Sequence, residues 1–437
     1  IDLNLFDSAA GHIVRTQQAQ QPPIETPVYR DEWGFHVLAS HADKTLRLIN
    51  ASASSYTLTP AWHALQTALQ QQAALTPGVY IATQPQPGTL PYFAVSPEGR
   101  LATTLELPPG TDLTYSAAFN FSLPGRAEVL YYDGHLALLK EGDRHLRVIN
   151  ESDHAYNIHP MWKTVRNLLK AMPPGVYTDP LYPELPFRTM MIGEAGLESR
   201  IKAPPQSSVR FEYQCPLSDI SRVGIIPLGD RCAVRMLLYK LEYDGPAYPF
   251  DLTRTLNLGD VADIITSGFR DMWNPELLYY SADERRIFHR KWTGLSFAHE
   301  VEETDDPVHY ITPVYERMRD RYTARSQRFG YTLQHCDKAL FVRTGGTTRG
   351  YVVDLIDKLE TVCGGKPFRI LLLSPQPSEE FADLPGVVHY NLEFNPDRMY
   401  ADSDYWKRCT EEMRVILDSL GVSSKNLFWC PPTPPAQ

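Results

Sequence analysis

The stretch VGIIPLGDRCAVRMLLYK, residues 223–240, opens with an apolar run and continues with apolar residues at helical spacing. Residues 223–228 are long enough for one buried strand, and Gly229 and Asp230 interrupt the run. Apolar side chains then recur every three or four positions, which is typical of a helix. The stretch therefore predicts a strand, a tight turn and a helix, in that order.

Cys232 falls in the first turn of this predicted helix. The first turn carries unpaired backbone N–H groups and the positive end of the helix dipole, and both favour an anion. We therefore expect the thiol to be biased towards the thiolate, the reactive form of cysteine. This predicts a nucleophile elbow in which cysteine takes the place of serine. The alternative is that Cys232 is a small core residue on an amphipathic helix.

The chain after this elbow alternates between apolar strands and amphipathic helices. Strands are predicted at 339–343, 368–373 and 386–390, and helices at 351–362 and 405–420. Strand–helix–strand units with nearly continuous apolar strands indicate an α/β domain with a mainly parallel sheet and helices on both faces. In such sheets the functional site lies at the carboxyl ends of the strands.

The first half of the chain contains an internal repeat. Residues 46–65, LRLINASASSYTLTPAWHAL, match residues 146–165, LRVINESDHAYNIHPMWKTV, and the PGVY motif also occurs twice. The repetition predicts two tandem α+β modules of mainly antiparallel strands. Each module is expected to contain one helix, which begins near the shared proline and runs through Trp62 or Trp162. These tryptophans are expected to be core anchors, with sugar stacking as the weaker alternative.

These patterns divide the chain into four segments. We predict a leader at 1–30, repeat modules at 31–121 and 125–213, and an α/β catalytic domain at 216–437. The two modules share no acid, base or metal cluster, so we expect them to be binding or scaffolding units. The asparagines that end the repeated LRxIN motifs are expected to finish a strand in a turn.

Composition excludes several classes of protein. The 437 residues carry a formal net charge of −10 and no block of lysine or arginine, which argues against nucleic acid or an anionic membrane surface as the main partner. No apolar run reaches the length of a membrane span. The six cysteines are scattered and form no CxxC pair, so we expect no zinc site, no other metal and no cofactor.

The same cysteine pattern favours a reducing compartment, and we expect a cytoplasmic location. The chain lacks an initiator Met and a signal-peptide apolar core, so we expect it to be an excised fragment from which any targeting signal is missing. Nothing in the sequence specifies an oligomeric state. The expected partner is a small-molecule, glycan or peptide substrate.

Several residues are candidates to assist Cys232. His299 follows a short apolar run, where a strand is expected to end, and is our candidate general base, with His289 and His309 as weaker competitors. Asp251 follows Pro249 and is predicted to cap a helix. A histidine taken alone is more often structural, so the assignment of His299 depends on its proximity to the cysteine.

Arginines recur along one face of the predicted helix at 315–329. They fit a clamp for phosphate or carboxylate groups, or a solvated face with salt bridges to Glu316 and Asp320. The Gly-rich segment 343–349 also fits an anion cradle. The candidate substrate-binding residues are Asp230, Arg235, Arg321, Arg325, Arg343 and Arg349.

The order of these motifs resembles a known family. The elbow, Pro-Phe-Asp at 249–251, His299-Glu300 and Phe-Val-Arg at 341–343 occur in the order found in the DUF1796 family, bacterial proteins described as papain-like cysteine peptidases. The resemblance covers about residues 222–345 and at most extends to 420. It implies catalytic roles for Cys232 and His299, with Asp251 or Glu300 as the acidic residue.

The sequence departs from the family pattern in two places, because proline stands where the family has serine before the elbow and Glu300 stands where it has aspartate. A parallel sheet also differs from the architecture of papain-like enzymes. The elbow is similar, too, to the starts of SGNH-type esterases and of a family of capsule-biosynthesis acyltransferases.

Three functions therefore compete. The first is a cysteine enzyme of acyl transfer, either a hydrolase or an acyltransferase acting on a surface glycan. The second is a glycosyltransferase or phosphate-handling enzyme of surface polysaccharide synthesis that uses the arginine-rich site. The third is a glycan- or protein-binding protein with a degenerate catalytic domain. The sequence favours the first, an enzyme.

Overall fold

The computed structural model describes residues 25–40, 42–71, 78–84, 86–90, 92–95, 99–117, 127–392 and 394–434. Most of the predicted leader lies outside these residues. The chain forms two compact units. Unit 1 comprises Ile1–Tyr156, Ala171–Pro173 and Ala203–Glu212, and unit 2 comprises Asn157–Lys170, Pro174–Lys202 and Tyr213–Gln437.

The half of the chain before residue 216 is rich in short strands. Its first strands and helix are β1 (Thr26–Arg30), β2 (Phe35–Ser40), β3 (Thr45–Asn50), β4 (Tyr56–Leu58), α1 (His63–Gln71), β5 (Gly78–Ala82), β6 (Tyr92–Val95), β7 (Leu105–Leu107) and β8 (Asp112–Ala117). They are followed by β9 (Ala127–Tyr132), β10 (Leu136–Glu141), β11 (His145–Asn150), β12 (Tyr156–Ile158), α2 (Lys163–Leu168), β13 (Gly175–Thr178), β14 (Thr189–Gly193), β15 (Gly196–Leu197), β16 (Ile201–Ala203) and β17 (Ser207–Cys215).

Antiparallel pairing dominates unit 1, as the sequence predicts. Six strands form one sheet in the order β1-β2-β3-β8-β5-β6, and every neighbouring pair in it is antiparallel. Within the same unit, β9, β10, β11 and the first part of β17 also pair antiparallel in that order. Strands β3 and β11 both alternate buried and half-buried residues, because one face of each strand packs into a core.

A buried asparagine ends both β3 and β11, which confirms the predicted turn positions. Each side-chain amide donates hydrogen bonds of 2.8 to 3.1 Å to three backbone carbonyls and so ties the strand end to two loops. The carbonyls belong to Ser54, Leu107 and Pro108 for Asn50, and to His154, Ala203 and Pro204 for Asn150.

The helices α1 and α2 begin later than predicted. Trp62 and Trp162 precede them, whereas the sequence placed both tryptophans inside the helices. The chain first makes a tight turn in which the Trp62 N–H donates to the Thr59 carbonyl at 3.0 Å and the Trp162 N–H to the His159 carbonyl at 2.8 Å. The ring of Trp62 packs against the core of unit 1, as expected.

The rest of the chain contains longer helices and a parallel sheet. Its elements are β18 (Val223–Pro227), α3 (Ala233–Leu241), β19 (Thr253–Thr255), α4 (Leu258–Thr266), β20 (Leu278–Ser281), β21 (Arg286–His289), β22 (Leu295–Phe297), α5 (Thr312–His335), β23 (Lys338–Thr344), α6 (Arg349–Cys363), β24 (Phe368–Ser374), β25 (Val387–Asn391), α7 (Pro396–Ala401) and α8 (Ser403–Ser419).

The predicted parallel sheet is present and has four strands in the order β18-β23-β24-β25. Alternate residues of its strands enter two different cores. Ile226, Phe341 and Leu372 pack with α4, α5 and α6, whereas Ile225 and Val342 pack with α3 and α8. The near-continuous apolar strands of the sequence are explained by this burial on both faces.

A second sheet is formed by short strands between α3 and α5. Strands β19, β22, β21 and β20 pair antiparallel in that order. The prediction that Asp251 caps the next helix is wrong, because β19 follows it and α4 begins only after Asn257. The Asn257 side chain is the cap, and its Oδ1 accepts a 2.7 Å hydrogen bond from the Asp260 N–H.

Candidate active site

The elbow after β18 has the backbone conformation of a sharp turn. Gly229 and Asp230 both have positive φ values, 79° and 51°, and Cys232 stands immediately before the first residue of α3. A Cβ at Gly229 would lie 2.4 Å from Thr255 Oγ1, so only glycine fits there. The predicted strand–turn–helix is therefore confirmed, with Cys232 at the N-cap position of the helix.

Arg343 and Thr255 hold the elbow from beneath. One guanidinium nitrogen of Arg343 donates to the Leu228 carbonyl at 3.0 Å and to Thr255 Oγ1 at 2.5 Å, and the other donates to the Thr255 carbonyl at 2.8 Å. Thr255 in turn donates its N–H to the Asp230 carbonyl at 2.9 Å. Burial lowers the pKa of Arg343 to about 10, partly opposed by Asp230. Arg343 is fully buried, and its bonds give it a structural role.

The loops that follow β18, β23 and β24 meet at the carboxyl edge of the sheet. Thr344 Oγ1 donates to the Gly229 carbonyl at 3.3 Å, and the side chain of Gln376 bonds both the N–H and the carbonyl of Thr347. Asp230 lies against the Gly-rich loop, since a Cβ at Gly345 would stand 2.7 Å from its Cγ. The elbow is thus part of a compact cluster of loops.

The thiol of Cys232 is half-buried, and its pKa shifts in the direction opposite to the expectation. Burial raises the pKa, the backbone N–H of Cys232 itself and the Arg231 charge lower it, and Asp397 raises it again. Among the described residues, the Cys232 side chain makes no capping hydrogen bond at the N-terminus of α3. The cost of removing a thiolate from water therefore exceeds the stabilisation from the Cys232 N–H and from Arg231.

His299 is exposed and lies two residues beyond β22. Thr255 at the elbow pairs with Leu295, whereas Phe297 pairs with Thr253, so the chain leaves β22 at the end of the strand pair remote from the elbow. Within the described part of the chain, the His299 ring forms no hydrogen bond or ion pair. Among the described residues, no hydrogen bond joins His299 to Cys232, and the role of His299 stays a prediction.

The two candidate acids differ in their contacts. Glu300 is buried and accepts hydrogen bonds from Arg321 at 2.5 Å and from the Tyr322 hydroxyl at 3.0 Å, so it joins the loop to α5. Asp251 is also buried; its Oδ2 accepts the Tyr248 N–H at 2.8 Å and lies 3.5 Å from Arg235. Burial raises the pKa of Asp251, and Arg235 is the main opposing charge.

The arginine face of α5 is engaged with other parts of the chain. Arg317 bonds Asp305 at 2.5 Å, Arg321 bonds Glu300, and Arg328 donates to backbone carbonyls. Of the two acids expected to pair with this face, Asp320 is instead paired with Arg319 at 3.0 Å. Arg325 is buried with its guanidinium 4.7 Å from the Tyr322 ring centroid.

Arg349 is likewise paired with an acidic side chain of the chain itself. It is exposed and makes a bidentate pair with Asp383 at 2.6 and 2.8 Å. The buried Arg343 and the paired Arg349 are therefore both engaged by groups of the chain itself.

A serine–histidine pair escaped the sequence analysis. Ser374 Oγ and His389 Nε2 are 2.8 Å apart at the carboxyl ends of β24 and β25. Burial lowers the pKa of His389, with Glu380 opposing, so the neutral ring suits this hydrogen bond. Ser374 is 1% exposed, which keeps it from a substrate in this conformation. Its sequence signal is weak: His389 lies in a predicted strand and Ser374 directly follows another, and a single sequence does not reveal the relative register of the two strands.

Residues 224–375 match the DUF1796 family model. The family is described as "Putative papain-like cysteine peptidase (DUF1796)", and the matched span lies inside the region of the predicted resemblance. This DUF1796 segment runs from β18 to β24 and contains Cys232, Asp251, His299 and Glu300. Comparison with the curated proteins finds no match. The match supports a cysteine hydrolase family and no finer activity.

The described residues contain no group of three or more His, Cys, Asp or Glu side chains placed to hold a metal ion. No described helix combines the length and apolar character that crossing a membrane requires.

Proposed function

We propose that the protein is an acyl-transfer enzyme in which Cys232 is the nucleophile. The observation that carries the proposal is the position of Cys232 at the N-terminus of α3, directly after the Gly229–Asp230 elbow at the carboxyl end of a parallel strand. A nucleophile in this place faces the unpaired N–H groups of the first helical turn, which suit the oxyanion of a tetrahedral intermediate. The DUF1796 match supports the same chemistry.

In the proposed reaction the Cys232 sulfur attacks the acyl carbon of an amide, ester or thioester. The leaving group departs with a proton, and a thioester forms between the acyl group and the sulfur. Attack by water gives a carboxylic acid and regenerates the thiol, whereas attack by a glycan hydroxyl gives an ester. Because burial raises the pKa of the thiol, the first step needs a base.

We retain His299 as the proposed base. Its competitor His289 is buried, with Nε2 bonded to the Asp271 carbonyl at 2.9 Å and Nδ1 accepting the Trp292 N–H at 3.0 Å. His309 is paired with Asp306. Only the His299 ring, among these three, is free of hydrogen bonds within the described chain. Its role requires the His299 ring to lie within hydrogen-bond reach of the Cys232 thiol.

The test is to trap the acyl-enzyme. The full chain is incubated with p-nitrophenyl acetate, quenched in acid and mapped by peptide mass spectrometry, beside Cys232→Ala and the control Cys215→Ala. Cys215 is also a free, half-buried thiol and lies outside the DUF1796 segment. We expect an acetyl group on Cys232 in the wild type and in the control, and none at residue 232 of Cys232→Ala. Acetylation spread over several cysteines, or absent from Cys232, would contradict the proposal.

A further inference from the structure

Two cavities in unit 2 share a wall formed by Glu198, Phe428 and Trp429. The larger, here named the tail cavity, has a volume of about 750 Å³ and lies between α2, the C-terminal part of α5 and residues 428–433. This volume is within the range of small-molecule sites. Neither cavity is lined by Cys232 or His299.

The tail cavity is basic. Lys163, Arg166, Arg222 and His335 line it, and Glu198 is the one acid in its wall. Glu198 is paired with Arg222 at 2.7 Å. In the described part of the chain, Lys163 and Arg166 have no acidic partner, and the buried Nε of Arg166 has no hydrogen bond. Cations without counter-charges beside a cavity favour an anionic ligand.

Aromatic rings form another part of this wall. Trp429, Phe428 and Tyr331 line the tail cavity, and the Arg222 guanidinium lies 5.2 Å from the Phe428 ring centroid. The indole N–H of Trp429 is buried and has no acceptor among the described residues. An indole with a free N–H offers both a flat apolar face and a donor, so it suits a ring-shaped ligand that carries oxygen atoms.

The smaller cavity, beyond the shared wall, needs both a donor and an acceptor from a ligand. Its volume of about 50 Å³ admits a few groups the size of water. Asp251 lines it and is 1% exposed, and its Oδ1 has no partner within the described chain. Arg235 also lines it, and its nearest carboxylate oxygen is 3.5 Å away. Sugar hydroxyls both donate and accept, and so complement this pair.

We propose that the tail cavity and its smaller neighbour form a binding site for an acidic sugar. The carboxylate or phosphate group of the ligand faces Lys163 and Arg166, and its ring packs against Trp429. Its hydroxyls face the shared wall, beyond which Asp251 and Arg235 lie. The site is independent of the proposed nucleophile. It adds a recognition function to the chain whether or not Cys232 forms an acyl-enzyme.

The test is isothermal titration calorimetry of the full chain with four probes: glucuronate, glucose 6-phosphate, glucose and inorganic phosphate. We expect at least one acidic sugar to bind about tenfold more tightly than glucose and than phosphate. Glucose cannot form the ionic hydrogen bond, and phosphate cannot form the ring contact. Glucuronate and glucose 6-phosphate distinguish a carboxylate ligand from a phosphate ligand. The proposal would be overturned if glucose or phosphate bound as tightly as the acidic sugars, or if neither acidic sugar bound.

Matched variants locate the site. Trp429→Phe and Lys163→Met should each lower the affinity for the acidic sugar by about tenfold. The controls Trp406→Phe and Lys170→Met carry the same substitutions outside both cavities and should bind as the wild type does. Melting temperatures exclude unfolding as the cause. Binding that survives in Trp429→Phe and Lys163→Met would show that the ligand binds elsewhere. The titration is repeated with Cys232→Ala, which should retain full affinity even if the proposed acyl transfer fails.

Discussion

At the scale of the residue, burial and a place at a helix N-terminus have opposite effects on the pKa of the Cys232 thiol. The sequence correctly predicts a cysteine at a helix N-terminus, where the dipole favours the thiolate by a modest amount. The protonation state of the thiol depends on how far the surrounding side chains exclude water. This degree of exclusion cannot be read from a single sequence. In the folded protein burial is the largest influence and raises the pKa of the thiol.

The raised pKa predicts the pH dependence of alkylation. Only the thiolate reacts with iodoacetamide, and a pKa above the ordinary value leaves less thiolate at every pH below it. The labelling rate of Cys232 should therefore rise about tenfold per pH unit and show no plateau below about pH 9, where free cysteine already levels off. Peptide-resolved mass spectrometry gives the rate, and N-acetylcysteine in the same tube is the control. A plateau near neutral pH would show a stabilised thiolate instead.

Asp251 is a second residue whose role depends on its surroundings. Pro-Phe-Asp suggested a helix cap, but the carboxylate is buried beside Arg235, which lies on a different element. The sequence thus identifies Asp251 as a candidate residue, but it does not identify Arg235 as its partner. Charged side chains separated by many residues can be paired only when the packing of the chain is known.

At the scale of the element, the strongly apolar segments were predictable. Strands β18, β23 and β24 are buried on both faces, so their composition alone identifies them. Strands β20 and β21 are only four residues long and mix aromatic and polar side chains. Their pairing depends on neighbours in space, so the sequence alone does not identify these two strands.

The elbow depends on one buried arginine that joins three elements. Arg343→Met should lower the free energy of unfolding by about 3 kcal/mol, because it leaves the Leu228 and Thr255 carbonyls without their donors. Urea denaturation measures the change. Arg349→Met is the matched control, since that arginine is exposed and should change stability little. Equal stability of Arg343→Met and the wild type would show that the elbow does not need this contact.

At the scale of the whole molecule, the repeat and the compact units are different divisions of the chain. The repeat predicts modules at 31–121 and 125–213, and these boundaries remain a prediction. Unit 1 combines Ile1–Tyr156 with the later segment Ala203–Glu212, because β17 pairs with β11. A long-range pairing of this kind leaves no periodic signal in the sequence. Fold class was therefore accessible from composition and periodicity, whereas the grouping of strands into units required the structure.

The measurement that tests the central claim most directly compares turnover with stability in Cys232→Ala. The rate of p-nitrophenyl acetate hydrolysis and the melting temperature are recorded for the wild type and the variant under the same conditions. A nucleophilic Cys232 predicts a rate lower by at least about a hundredfold with a nearly unchanged melting temperature. A clear loss of stability with the hydrolysis rate retained would contradict the account and identify Cys232 as a core residue.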